Sequence, residues 1–330
     1  MNVFITFNPK GFAESAVRIL KKAGHAVTVY PKVYGISRKD LLRLSKGRDA
    51  VLPLLTDRID DEFFRAAGSK LKIVANYAVG FDNVDLQAAK KHGVIVTNTP
   101  SETVNESVGE HTFALMLTLA HRIAEADRFS KGGKYSGWKP DQLLGSNLRG
   151  KTLGIIGAGR IGSNVAFHAV NGFGMNLLYS DMKRNPDIEK AFGAKYVSMD
   201  ALLKRSDYVS LHVPLLPSTR HLISAKQLRL MKKTAFLINT ARGPVVDEKA
   251  LLKALKAKRI AGAALDVFEC EPAIDCDLRD DLELKAFENV ILTPHIASAT
   301  TEARVGMAEV AAKNIVAVLA GKKPLTPAKV

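Results

Sequence analysis

Residues 153–162 read LGIIGAGRIG, an apolar strand-like run closing on Gly157, Gly159 and Gly162 at G-x-G-x-x-G spacing. Nineteen residues beyond Gly162, after a second strand-like run (MNLLYS, 175–180), stands Asp181. Strand, glycine turn, helix, strand and acidic residue in this order form the setting in which such a turn cradles a dinucleotide. The first glycine permits a tight turn, the second lets backbone approach a pyrophosphate, and the third lets the helix pack closely on the sheet. The helix opening near Arg160 turns unsatisfied N–H groups and a positive dipole end toward the phosphates. An ordinary glycine-rich turn has the same spacing without the flanking strand, helix and acid.

Asp181 bears on which dinucleotide is bound. A carboxylate at the end of the second strand accepts both hydroxyls of an adenosine ribose and repels a 2′-phosphate, which favours NADH over NADPH. Lys183 and Arg184 follow closely and offer a phosphate some relief. The plainer reading is an aspartate that caps a strand end.

The 330 residues suggest two domains, and 47% hydrophobic with 25% charged residues is ordinary for a globular enzyme. The net charge of +15 is not. Basic pairs such as Lys21–Lys22, Lys90–Lys91, Lys232–Lys233 and Lys322–Lys323 are scattered, with no aromatic residues between them. This pattern predicts no nucleic-acid partner and a surface that steers anionic ligands inward. Cys270 and Cys276 make neither a disulfide framework nor, with the dispersed histidines, a metal set, so no metal is expected. The N-terminus lacks a signal-peptide pattern and no apolar run reaches the roughly 18 residues that span a membrane, so a cytoplasmic location is expected.

Short apolar runs alternate with amphipathic stretches from the start: NVFITF, ESAVRILKKAG, HAVTVY, KDLLRLSKG, AVLPLL, EFFRAAG, KIVANYAVG, VDLQAAKKHG, VIVTN. These are βαβ units of a parallel sheet. A long helical pattern after Pro100 carries Val108, Leu115, Met116, Leu119 and Ile123, either crossing between domains, packing on a partner subunit or serving as a core helix. Residues 131–150 look like an exposed arm. The alternation then resumes through TLGIIGAG, NLLYSD, YVSLHVP, AFLINT, GAALDVF and VILTPH, about six strands. A last helix, about 302–320, stops at Gly321 before Pro324. The expected architecture is α/β with two doubly wound parallel sheets: residues 1–99 and 297–330 in one domain, and 100–296, with its arm at about 100–150, in a dinucleotide domain. Ligands are expected in the cleft between them, at strand C-termini.

Three side chains fall at strand ends after the fingerprint. Arg242 follows AFLIN, Glu271 follows ALDVF, and His295 follows a Thr-Pro turn. Singly, each reads as a surface ion pair, a solvated acid and a turn residue; jointly they fit the reduction of a 2-oxo acid. Arg forks onto a carboxylate with two parallel hydrogen bonds. His protonates a carbonyl oxygen near neutral pH, and a carboxylate on its far nitrogen fixes the tautomer. Asp266 is placed to hold a nicotinamide carboxamide.

At these residues the chain resembles the D-isomer-specific 2-hydroxyacid dehydrogenases, from about Ala50 almost to Ala320. GIIGAGRIG, HVPLLPST (212–219), MKKTAFLINTARGPVVD (231–247), ALDVFECEP (264–272) and TPHIASAT (293–300) occur in family order. The resemblance implies that Arg242, Glu271 and His295 are catalytic. It implies NAD contacts at Arg160, Ile161, Asp181, Val213, Pro214, Thr219, Thr240, Ala241 and Asp266. It also implies a flavodoxin-like substrate domain whose turn at Val79 and Gly80 meets the substrate carboxylate by its backbone, and a homodimer. VLPLLTDRID, KIVANYAVGFDNVD and WKPDQLLG look most like the glyoxylate/hydroxypyruvate reductase branch, which offers Leu55 as a pocket residue. The same branch offers Trp138, from the partner subunit, as a residue closing the neighbouring site; simple dimer packing is its other reading. Two departures stand out. Archaeal-type glyoxylate reductases often lack the ribose acid and take NADPH, and PSETVNESVGEH is about one residue longer than usual, so no site is assigned over 101–111.

Formate dehydrogenases pair the histidine with glutamine where this chain has Glu271, and phosphoglycerate dehydrogenases add a regulatory domain after the last helix, so neither activity is expected. A D-lactate-type dehydrogenase remains an alternative, since one methyl discriminates by only about 1–3 kcal/mol. The alternative from another class is a NAD-sensing binding protein like the C-terminal binding protein corepressors, which share the fold.

Overall fold

The computed structural model describes residues 1–271 and 282–328. One unit comprises Met1–Val104 with the segment from Ala299 onward; the other is Asn105–Ser298. In the first unit β1 (Asn2–Ile5), β2 (Ala26–Val29), β3 (Ala50–Leu52), β4 (Ile73–Ala75) and β5 (Ile95–Thr97) form a parallel sheet in the order β2-β1-β3-β4-β5. This is the flavodoxin-like order. Val3, Phe4 and Ile5 of β1 and every residue of β3 and β4 are fully buried, as central strands covered on both faces require. Three of the four crossover helices begin on side-chain caps: Ser37 accepts from Asp40 N–H, Asp60 from Phe63 N–H and Asp85 from Ala88 N–H. The helix Thr301–Leu319, capped by Thr300, packs on Glu14–Lys22 and β4. Gly306 lets the residues at the start of the helix Glu102–Ala120 come close, since a Cβ there would lie 2.6 Å from Thr103 Oγ1. The compact units divide after Val104 and Ser298, a few residues from the boundaries at 99 and 296 that the sequence pattern suggests.

The loop after β3 is tied by a buried acid. Asp57 Oδ2 accepts from Thr6 Oγ1 (2.5 Å) and Leu54 N–H (2.9 Å), while Asn83 Nδ2 donates to the Asp57 carbonyl at 2.9 Å. Burial pushes the carboxyl up from 3.8 to about 6, and these two donors offset only part of that. A raised carboxyl pKa stabilises the fold fully below the unfolded value and loses that contribution as pH rises through the folded one. A shift of this size is worth about 3 kcal/mol. Asp57→Asn is therefore expected to gain stability relative to wild type between about pH 4 and 7.5, by up to about 3 kcal/mol in urea unfolding. A difference between the two proteins that does not change with pH would refute this.

In the second unit β6 (Thr152–Ile156), β7 (Asn176–Ser180), β8 (Lys195–Tyr196), β9 (Tyr208–Leu211), β10 (Phe236–Asn239), β11 (Gly262–Leu265) and β12 (Val290–Leu292) are all parallel. Their order is β12-β11-β10-β9-β6-β7-β8, the doubly wound dinucleotide order with one strand more. Apolar runs in the sequence mark about six of these strands. The seventh, β8, has two exposed residues at the sheet edge and so carries no apolar run. Successive residues of β10 enter opposite cores: Leu237 joins Leu211, Ile223, Leu251 and Leu265, whereas Ile238 joins Leu153, Ile155, Tyr179 and Met116. Met116 and Leu119 make most of the helix Glu102–Ala120 a core element of this unit. Among the described residues no helix is long and apolar enough to cross a membrane.

Candidate active site

Sheet register sets the site of the second unit. Ser180, Ile156, Leu211, Asn239, Leu265 and Leu292 are successive neighbours across six strands. The next residues of each strand, Asp181, Gly157, His212, Thr240, Asp266 and Thr293, therefore share the C-terminal edge of the sheet. Residues 24 to 136 positions apart in sequence become one row.

The fingerprint turn has the steric form its glycines predict. Gly157 has φ +94°, and a Cβ there would lie 2.7 Å from the His212 carbonyl carbon. A Cβ on Gly162 would lie 2.1 Å from the Gly157 oxygen, so helix Arg160–Phe167 rests directly on the turn. Beside Gly159, in contrast, a Cβ would meet nothing within 4 Å. That open space faces the start of the helix and fits a pyrophosphate on the N–H groups of Arg160 and Ile161. Asp181 is half-buried; its Oδ2 accepts from Ala158 N–H (2.7 Å) and its Oδ1 from Met182 N–H (2.6 Å). The acid is thus held against the glycine turn. Of the cations behind it, Arg184 is engaged by Glu189 at 2.6 Å, while Lys183 is exposed and makes no ion pair among the described residues. After β9 Val213 is half-buried and Pro214 exposed, and Thr219 Oγ1 closes their loop on the Pro214 carbonyl (2.6 Å). Burial pushes the neighbouring His212 imidazole down to about 3, so it is neutral and structural.

After β10 the buried Asn239 folds the chain back. Its Oδ1 accepts from Ala241 N–H (3.0 Å) and its Nδ2 donates to the Arg242 carbonyl (2.9 Å). Thr240 and Ala241 are nearly covered, and Thr240 Oγ1 lies 3.2 Å from Thr112 Oγ1. Arg242 Nη1 donates to the Ala241 carbonyl at 2.8 Å.

Glu271 and His295 are brought together: Glu271 Oε2 lies 2.7 Å from His295 Nδ1. His295 Nε2 makes no hydrogen bond among the described residues, and about 29% of the side chain is exposed. The histidine holds a left-handed backbone, φ +54°, which costs a residue with a Cβ some strain. Its N–H donates to the Asp266 carbonyl at 2.8 Å, and the Asp266 carboxylate holds the rest of the loop. That carboxylate accepts from Thr293 Oγ1 (2.6 Å), Ile296 N–H (2.9 Å) and Ala297 N–H (2.8 Å), with His111 Nε2 at 3.4 Å. Burial raises the Asp266 carboxyl, but the bonds from His111, Thr293 and the two N–H groups outweigh it and hold the pKa below its ordinary value. Asp266 is fully buried, and its carboxylate scaffolds the His295 loop. His111, Thr293 and Ser107, whose Oγ donates to the Ala297 carbonyl (2.8 Å), complete that scaffold. No spacing rule marks them, and they fall partly in the stretch left unassigned. Pro272 and Cys276 lie outside the described residues.

In the first unit, the Val79 and Gly80 carbonyls accept from Asn98 Nδ2 (2.7 Å) and Asn76 Nδ2 (3.1 Å). Their own N–H groups have no acceptor among the described residues. Leu55 is half-buried on the loop that Asp57 ties. Trp138 is 82% exposed on the arm.

Residues 113–297 match the NAD-binding domain of the D-isomer specific 2-hydroxyacid dehydrogenases. The chain belongs to this family. A glyoxylate reductase of Korarchaeum cryptofilum is 50% identical over 289 residues, covering 87% of this chain and 85% of that protein. One of Thermococcus litoralis is 46% identical over 326 residues, 98% and 95% of the two chains. The crystal structure of the TT0316 protein from Thermus thermophilus matches with a TM-score of 0.89 at 38% identity over 100% of both chains. This dehydrogenase is thus an NAD-binding oxidoreductase acting on CH–OH groups, with small 2-oxo and 2-hydroxy acids as its substrate class. Its turn geometry at Gly157, Gly159 and Gly162 fits the cofactor that the family binds.

Proposed function

We propose that this chain reduces a small 2-oxo acid of the glyoxylate or hydroxypyruvate type to the D-2-hydroxy acid, with NADH preferred over NADPH. The observation that carries the reading is the Glu271–His295 pair at the sheet's C-terminal edge, 2.7 Å apart with Nε2 left open. Bound NADH supplies the hydride. Glu271 accepts a hydrogen bond from Nδ1–H and so fixes which nitrogen works, leaving the imidazolium to deliver its Nε2 proton to the carbonyl oxygen, which becomes a hydroxyl, and to end as neutral imidazole. Arg242 forks onto the substrate carboxylate, and the open N–H groups of Val79 and Gly80 in the first unit suit an anion. Glyoxylate reductases of 46–50% identity support the substrate class, and a glutamate in place of glutamine supports proton transfer over formate oxidation.

The cofactor preference rests on Asp181. A 2′-phosphate would meet this carboxylate where it already binds the Ala158 and Met182 N–H groups. Asp181→Ser is expected to raise KM for NADH and lower it for NADPH, shifting the kcat/KM ratio about tenfold or more toward NADPH. An unchanged ratio would remove Asp181 from cofactor selection. We also propose a homodimer. Ile123, Tyr135, Trp138 and Leu144 are large apolar side chains exposed over one short stretch, which a second copy would cover; Trp138 then reaches the neighbouring site. Assays of NADH oxidation with glyoxylate, hydroxypyruvate, pyruvate and phenylpyruvate test the whole reading. Preference for pyruvate or phenylpyruvate would move the chain to a lactate type, and no turnover despite tight NADH binding would favour a sensing protein.

A further inference from the structure

A second imidazole–carboxylate pair lies one turn from the first, and the proton donor does not use it directly. His221 Nε2 is 2.5 Å from Glu269 Oε1. Glu269 is two residues before Glu271, inside the turn that Glu271 N–H closes on the Phe268 carbonyl (3.1 Å). The backbone and carboxylate of Glu269 are both engaged: its N–H donates to Glu248 Oε1 (2.6 Å), and its Oε2 accepts from Glu248 N–H (3.3 Å). Glu248 opens the helix Glu248–Lys256, so this carboxylate also sits at a positive helix end.

The backbone of His221 reaches the other side of the site. Its N–H donates to the Pro244 carbonyl at 2.7 Å, Ile223 N–H to Val245 at 3.1 Å, and Asp247 N–H to Ile223 at 3.0 Å. The segment from His221 therefore runs as a short parallel ladder beside the loop that follows Arg242. Gly243 in that loop lies so close to the Phe268 turn that a Cβ would come within 1.7 Å of the Phe268 oxygen. Like His295, His221 holds a left-handed backbone, at φ +51°. A bulky residue is kept in that conformation only when its surroundings over-determine it.

We infer that His221 and Glu269 are positioning residues for proton transfer, cross-tying the Arg242 loop to the turn that aims Glu271 at His295. The inference rests on the reading of His295 as proton donor. It assigns His221 no contact with substrate. His221 bridges two loops, its ring on Glu269 after β11 and its backbone N–H on Pro244 after β10, and the functional side chains of these loops must act on one small molecule. Without the imidazole, the Phe268–Glu271 turn keeps its Glu248 bonds and its contact with Gly243 but loses its side-chain tie to the segment laddered beside the Arg242 loop.

The test uses the full-length enzyme and two variants that separate reach from backbone tolerance. Asn accepts the left-handed backbone but is too short to bridge, whereas Gln carries an amide long enough to donate to Glu269. His221→Asn is expected to lower kcat for glyoxylate reduction about ten- to a hundredfold, with the Kd for NADH unchanged. Its solvent deuterium isotope effect on kcat should increase, because proton transfer has become slower relative to the other steps. His221→Gln should restore most of the rate and the wild-type isotope effect. A loss of folded enzyme would lower the rate without moving the isotope effect and without rescue by Gln, and that result would overturn the inference. So would a wild-type kcat in His221→Asn. His295→Ala measured alongside separates the two claims: slow His295→Ala with fast His221→Asn defeats only the positioning role. If His295→Ala turns over at the wild-type rate, the proton donor is elsewhere and the pair has nothing to position.

Discussion

Replacing His295 with Ala is expected to lower kcat for 2-oxo-acid reduction by about 10²–10⁴-fold, the usual worth of a placed general acid. The Kd for NADH should stay within about twofold, because the proposed proton donor lies away from the fingerprint turn and acts, on this reading, at the reacting oxygen. The geometry explains why no neighbour substitutes. Glu271 is committed to Nδ1 at 2.7 Å, and Asp266 is buried beneath the loop with its oxygens engaged by Thr293, Ile296 and Ala297. Backbone strain is a separate matter, since Ala at φ +54° is less comfortable than Asn. His295→Asn, which tolerates that backbone, should therefore be as slow as His295→Ala but melt closer to wild type. Rapid-mixing measurements of NADH oxidation decide it. A wild-type burst in either variant would remove His295 from the chemistry.

The second large effect belongs to Arg242. Two charge-assisted hydrogen bonds to a carboxylate are worth about 3–6 kcal/mol together, so Arg242→Ala should lower kcat/KM for glyoxylate by about 10²–10⁴-fold. KM should carry much of the loss, because the carboxylate is present in substrate and transition state alike. Arg242→Lys should recover only part, as an ammonium offers a point charge where the site offers a fork. The backbone beneath is held independently of the guanidinium, by Asn239 Nδ2 and by Val245 N–H on the Arg242 carbonyl, so the variants should fold. Unchanged KM for the oxo acid in Arg242→Ala would assign the carboxylate to other groups. The comparison with Asp181→Ser is informative, since that change should move cofactor constants and leave the oxo-acid KM alone.

Much of this was legible in the chain because it is local. The five strands of the first unit, the fingerprint turn and the last helix follow from apolar period, capping residues and glycines that must tolerate positive φ or close contact. The candidate residues Arg242, Glu271 and His295 were legible as groups just past strand ends, because turn chemistry marks where a strand stops. β8 escaped because two exposed residues carry no period.

Adjacency was not local. Only the order β12-β11-β10-β9-β6-β7-β8 and its register set Asp266 beside Thr293 and bring Glu271 to His295 across 24 residues, or His221 to Glu269 across 48. The same holds for solvation. Asp57 and Asp266 are alike in composition terms, yet burial pushes the first up to about 6 while His111, Thr293 and two N–H groups hold the second down. A carboxylate's type is written in the chain, but the donors and solvent around it come from segments far away. Local conformational preference therefore carried the elements and their motifs, and non-local burial and strand pairing carried the roles.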